Sequence, residues 1–169
     1  MVAMEFTIDE IADNLPGLGV AILHLLHAGG RSAVRGDVIF QKELFLIGDY
    51  IERIGDDADF TPHIFGPYSE PAEVALDELV SLGLVRRSAG GYTLTPDGVR
   101  VWERVRSAFP NDESGAIEDF KAFINDLSVD EVLLFVYVTY PEYTCESARF
   151  RDILRRRRPL SASLYRKGK

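Results

Sequence analysis

Four carboxylates are the first candidates for chemistry in this sequence: Glu70, Glu73, Asp77 and Glu78, within GPYSEPAEVALDELVSLGLV at residues 66–85. Steps of three and four place Glu70, Glu73 and Asp77 along one face of a helix, with Glu78 beside them. Such a row does electrostatic work rather than bond-making. It is either a solvated helix face whose first-turn charge suits the helix dipole, or an acidic surface that meets a basic protein partner or mimics the charge of DNA. Elsewhere the carboxylates are scattered, with no spacing that proposes an acid and a base over a scissile bond. His24 and His27 stand three apart, but no carboxylate or cysteine lies nearby at zinc-site spacing, so a structural role is expected for both. His63 is read as a half-buried packing residue. Cys145 is the only cysteine and has no neighbouring histidine to activate it. Neither type of glycine-rich phosphate loop is present, and HAGGRS is too short to serve. No catalytic residue, cofactor or metal is therefore expected, and an enzyme is the least supported class.

The basic residues form the opposite pole. Residues 81–106 hold Arg86, Arg87, Arg100, Arg104 and Arg106 against two acids, a local charge of +3. Residues 1–146 carry 10 Lys and Arg against 26 Asp and Glu, or −16. Residues 147–169 carry 9 against 1, or +8, with Arg155, Arg156, Arg157 and Arg158 in a row. Arg86, Arg87, Arg104 and the four tail arginines could contact a nucleic-acid backbone without reading bases. They could equally pair with the acidic body.

Periodicity supplies the elements that would hold these groups. LPGLGVAILHLLHAGG reads as a helix with Pro16 in its first turn and Gly29 and Gly30 at its end. A second helix is expected over residues 38–54, through Phe40, Leu44, Ile47 and Ile51, followed by an acidic loop, GDDAD. FTPHIF reads as a short edge strand, Gly66 and Pro67 as a turn, and Ser69 as the cap of an acidic helix over 70–82. The apolar face of that helix is read as Val74, Ala75, Leu79, Val80 and Leu82. LVRRSAGGYTLT gives a hairpin, and Thr95 with Pro96 opens another helix. Helix, helix, helix, hairpin, helix is the winged-helix order. The fold class is thus mainly α, with a winged-helix domain over 1–109 and a helical extension with a basic tail over 110–169. In the extension GAIEDFKAFINDL is amphipathic, Ser128 and Glu131 form a capping box, and residues 132–140, VLLFVYVTY, are apolar nearly all round. A helix of that kind must be covered, by the chain itself or by a second copy, and a homodimer through Val132 to Tyr140 is expected.

A DNA-reading helix gains affinity by releasing counterions from phosphates, and its start should offer Arg, Lys, Asn or Gln to base edges. Here the third helix starts Glu70, Pro71, Ala72, Glu73, and residues 55–69 widen the connection that a DNA-binding helix-turn-helix makes in about 3 to 4 residues. Charge and geometry both argue against a helix laid in a groove.

Two stretches resemble a known group. FQKELFLI at 40–47, followed by FTPHIFGPYS at 60–69, is similar to the paired motifs of the Panacea (SocA-like) antitoxin domain and the related YwgA-like proteins. Gln41, Lys42, Leu44, Phe45 and Leu46 match the first motif, with Glu43 in place of an apolar residue; Phe65, Gly66, Pro67, Tyr68 and Ser69 match the second. The region from LSVDEV onward also resembles the segment after the winged core in YwgA-like proteins. The resemblance implies a winged-helix-like domain that grips other proteins, as toxin-neutralising or adaptor modules do. From the residues alone, Phe40, Leu44, Phe65 and Tyr68 should pack the second helix against the strand and the third helix. Gln41 and Lys42 either form an exposed polar face or hold the turn or a partner.

The expected function is non-catalytic: a cytoplasmic protein-binding module whose partner is a toxin or another basic protein, contacted through Gln41, Lys42, Gly66, Pro67, Tyr68, Ser69, Glu70, Glu73 and Asp77. The alternative is a transcriptional regulator holding DNA by wing and tail arginines. No run of about 18 uncharged apolar residues exists, and no signal peptide is read at the start, so no membrane role is expected.

Overall fold

Short polar side chains decide where several helices begin. The computed structural model describes residues 5–143. Thr7 and Glu10 form a capping box that opens α1 (Ile8–Asn14), a helix the polar opening of the chain did not suggest. Ser69 caps α5 (Glu70–Ser81), Thr95 caps α6 (Pro96–Val105), and Ser128 with Glu131 caps α8 (Val129–Thr139), as their sequences predict. Between these lie α2 (Gly17–Arg31), α3 (Asp37–Tyr50), α4 (Glu52–Ala58) and α7 (Asn111–Asn125). Helical dihedrals in α2 cease at Ala28, where Gly29 and Gly30 were expected to stop it.

The second helix is not continuous to residue 54. Ile51 is extended (φ −110°, ψ 95°), and the chain turns there into α4, so GDDAD begins as helix rather than loop. Two glycines allow the corner: a Cβ on Gly55 would lie 2.6 Å from the Gly48 carbonyl oxygen. Backbone meets backbone where any side chain would hold α3 and α4 apart.

The remaining elements are two small antiparallel sheets. β1 (Thr61–His63) pairs with β2 (Gly66–Tyr68) in the register Thr61 to Tyr68 and His63 to Gly66. Gly66 and Pro67 are therefore strand residues, and the turn falls at Ile64 and Phe65. β3 (Val85–Ser88) pairs with β4 (Gly91–Leu94), and Val34 bonds both ways to Tyr92 on the outer edge of β4. The molecule is mainly helical with these two sheets. Among the described residues no single helix is long and apolar enough to cross a membrane.

One hydrophobic cluster runs through the described chain. Ile22, Leu23 and Leu26 of α2 are fully buried, and Ile117, Ile124, Val132 and Val136 of the extension belong to the same cluster as Phe40 and Leu44. Arg35 fastens the extension from the other side, donating to the Leu127 carbonyl (2.7 Å) and the Ile124 carbonyl (3.0 Å) at the end of α7. A buried ion pair, Lys121 to Glu43 at 3.1 Å, joins α7 to α3. Along α8, Val132, Leu133, Leu134, Val136 and Tyr137 are buried within the chain, so covering them does not require a second copy.

Candidate functional site

Gln41 and Lys42 lie on a helix that is buried at every position from Ile39 to Gly48, so neither forms an exposed polar face. A buried polar group must find partners. Gln41, 5% exposed, donates from Nε2 to the Ser69 carbonyl (3.0 Å) and accepts from the Ser69 N–H (2.8 Å). Lys42, 1% exposed, donates from Nζ to the Pro67 carbonyl (2.9 Å). The side chain of Ser69 accepts from the Ala72 N–H and donates to the Ala58 carbonyl. The Q-K pair of α3 thus holds the G-P-Y-S strand and the cap of α5 in register. With Gly66, Pro67 and Ser69 also buried, these five expected contact residues support the surface more than they present one. Gly66 has φ +91°, and a Cβ there would lie 2.8 Å from the Tyr137 ring. Burial without a carboxylate partner holds the Lys42 amine down at about 7.

What this scaffold presents is the outer face of α5. Glu70, Glu73, Asp77 and Glu78 are exposed, while Ala72, Leu76 and Leu79 face the core. The inner face therefore differs from the expected one: Val74 is 51% exposed, and Leu82 is exposed as well. Their offset explains it, since Ala72, Leu76 and Leu79 follow steps of four and three, and Val74 falls opposite.

Beside this face lies a groove of about 300 Å³, bounded by the start of α3, the β1–β2 hairpin, α5 and the β3–β4 hairpin. Its floor is Phe40, Leu76, Gly66 and Tyr92, all buried, with Gln41 and Lys42 beneath. Three acids ring its mouth, and each is held by a neighbour. The Tyr68 hydroxyl donates to Glu73, the Tyr92 hydroxyl to Asp37, and Arg87 donates to Asp77 at 3.0 Å. The bond to Glu73 pushes the Tyr68 phenol up to about 12; burial, then Asp37, does the same for Tyr92. Val38 and Phe65 complete the walls. Phe65, at the hairpin tip, is 37% exposed, so it packs less than expected. A second groove, of about 350 Å³, runs between α1 and α5 past Phe6, Leu15 and Leu82.

The arginines read as nucleic-acid contacts lie in acidic company. Arg87 also lies over the Tyr92 ring, Arg104 pairs with Asp9 at 3.3 Å, and Arg100 with Asp97 at 2.7 Å. Arg86 is exposed on β3. Arg155, Arg156, Arg157, Arg158 and Cys145 lie outside the described residues. His63 is exposed rather than half-buried, its ring 5.0 Å from that of Tyr68. His24 accepts from the Trp102 indole (3.3 Å) and His27 stacks on the same ring (3.4 Å), burial lowering the pKa of both. No group of three or more His, Cys, Asp and Glu that could hold a metal occurs among the described residues.

Asp37, Val38, Leu76 and Tyr92 were not expected at the site. They come from three elements far apart in sequence, and no local pattern joins them. Compared with family models, curated proteins and solved structures, the chain finds no match in any of the three.

Proposed function

We propose that this chain is a non-catalytic protein-binding module, acting in the cytoplasm on a winged-helix-like scaffold, with the outer face of α5 and its adjoining groove as the contact surface. The observation that carries the reading is the exposure of Glu70, Glu73, Asp77 and Glu78 along one helix that turns only Ala72, Leu76 and Leu79 fully into the core. Fixed negative charge there disfavours a phosphate backbone and favours a basic polypeptide. The Panacea-like motifs point the same way, toward an antitoxin or adaptor role with a toxin or another basic protein as partner. In this scheme α2, α3 and α5 are the three helices and β3–β4 the wing.

The DNA-binding alternative has less behind it. Three of the five arginines that would serve it from residues 81–106 are engaged with carboxylates. Self-association through α8 would have to use what the core leaves outward, chiefly Val129 and Val138.

Affinity capture from native cells tests the reading, with wild type compared against Glu70→Lys/Glu73→Lys/Asp77→Lys and against Arg86→Ala/Arg104→Ala. A protein partner should be recovered with wild type and with the arginine variant, and lost with the charge reversal. Recovery that ignores the charge reversal, or no partner above background, contradicts it.

A further inference from the structure

We infer that the groove beside α5 is a socket for one aromatic side chain of the partner, and that this residue is flanked by Lys or Arg. The inference rests on the protein-binding reading and adds to it the chemistry of the segment bound.

Size and lining set the anchor. About 300 Å³ is the small end of ligand pockets, enough for a single large side chain rather than a cofactor. The floor of Phe40, Leu76 and Tyr92 offers apolar and aromatic surface, and Phe65 at the rim adds a further ring. The polar groups beneath are already bonded to the scaffold. Gln41 is spent on Ser69, and Lys42 donates to Pro67.

Charge sets the flanks. Asp37, Glu73 and Asp77 stand at the mouth against the exposed cation Arg87, which is itself bonded to Asp77. Each tyrosine hydroxyl fixes one carboxylate in place while using only one of its lone pairs, so acceptor capacity remains for incoming ammonium or guanidinium groups. A buried apolar anchor ringed by complementary charge is how small interfaces concentrate their affinity.

The probe is a fluorescein-labelled peptide with one phenylalanine between two pairs of arginines, titrated into the 169-residue chain and followed by anisotropy. Its counterpart carries alanine in place of phenylalanine. The phenylalanine peptide should bind about tenfold more tightly or better, the return expected from burying one ring. Added salt should weaken both peptides while leaving that ratio in place, because only the charge contribution is screened. Val38→Arg and Phe65→Ala, both at the groove wall and outside the core, should abolish the ratio with the far-ultraviolet dichroism unchanged.

Equal affinity for the two peptides overturns the socket while leaving an acidic protein-binding face intact. A ratio that survives Val38→Arg overturns it as well. No binding of either peptide at low salt removes both the socket and the acidic face as a contact surface. Photo-crosslinks from position 65 to residues 147–169 of the same chain, in the absence of peptide, overturn the inference by placing the chain's own basic segment in the groove.

Discussion

At the scale of single residues, the polar side chains on α3 act as internal fasteners. Gln41 spends both ends of its amide on the backbone of Ser69, away from solvent. Gln41→Ala should therefore cost about 1–3 kcal/mol in a urea unfolding experiment. Lys42 gives a test by pH. Its amine titrates near 7 in the folded chain and at its ordinary value of 10.5 when unfolded. Between those values the unfolded chain binds more protons, so the Lys42 contribution to stability rises with pH across that window and is at its lowest below 7. Relative to Lys42→Met, the wild type should gain stability from pH 7 to pH 10; a constant difference would show that burial does not shift the amine. The sequence put Gln41 and Lys42 next to each other but could not say which way they face. An amphipathic pattern announces an exposed face only when one exists, and α3 is enclosed on every side from Ile39 to Gly48.

At the scale of elements, capping chemistry was legible and long-range pairing was not. Ser69, Thr95 and Ser128 mark their helices because the cap bond spans three residues. Gly48 and Gly55 were visible as glycines, but their backbone contact appears only once α4 folds back on α3, so the break at Ile51 went unread. Glu43 stood out as a charge in an apolar position, and Lys121 falls on the inner stripe of α7 with Ile117 and Ile124; that they meet at 3.1 Å, 78 residues apart, is a property of the fold. Burial pushes the Glu43 carboxyl up against the opposing pull of Lys121. Lys121→Met should destabilise the chain by about 3–5 kcal/mol by stranding that carboxyl, whereas Glu43→Leu/Lys121→Met should recover most of the loss. Equal unfolding midpoints for the single and double variants would show that the pair does not couple α3 to α7.

At the scale of the whole molecule, the distribution of charge matters more than its total. The formal net charge of −8 is the sum of an acidic body and a basic segment over residues 147–169. Between residues 81 and 106, Arg87, Arg100 and Arg104 are paired with carboxylates. Duplex DNA should therefore bind weakly, and Arg86→Ala/Arg104→Ala should change that binding little at physiological salt, as read by gel mobility. A steep salt-dependent affinity lost in that variant would favour the DNA reading instead. The acidic helix was legible from its four carboxylates alone. The groove beside it was not, because its walls come from three distant parts of the chain. What meets α5 decides between protein and nucleic acid, and Val74, exposed at the middle of that helix, is the place to ask. A photo-crosslinking amino acid at position 74, irradiated in native cells, should yield a discrete adduct that protease destroys, nuclease spares and the Glu70/Glu73/Asp77 charge reversal removes. An adduct that nuclease destroys would make nucleic acid, not polypeptide, the partner of α5.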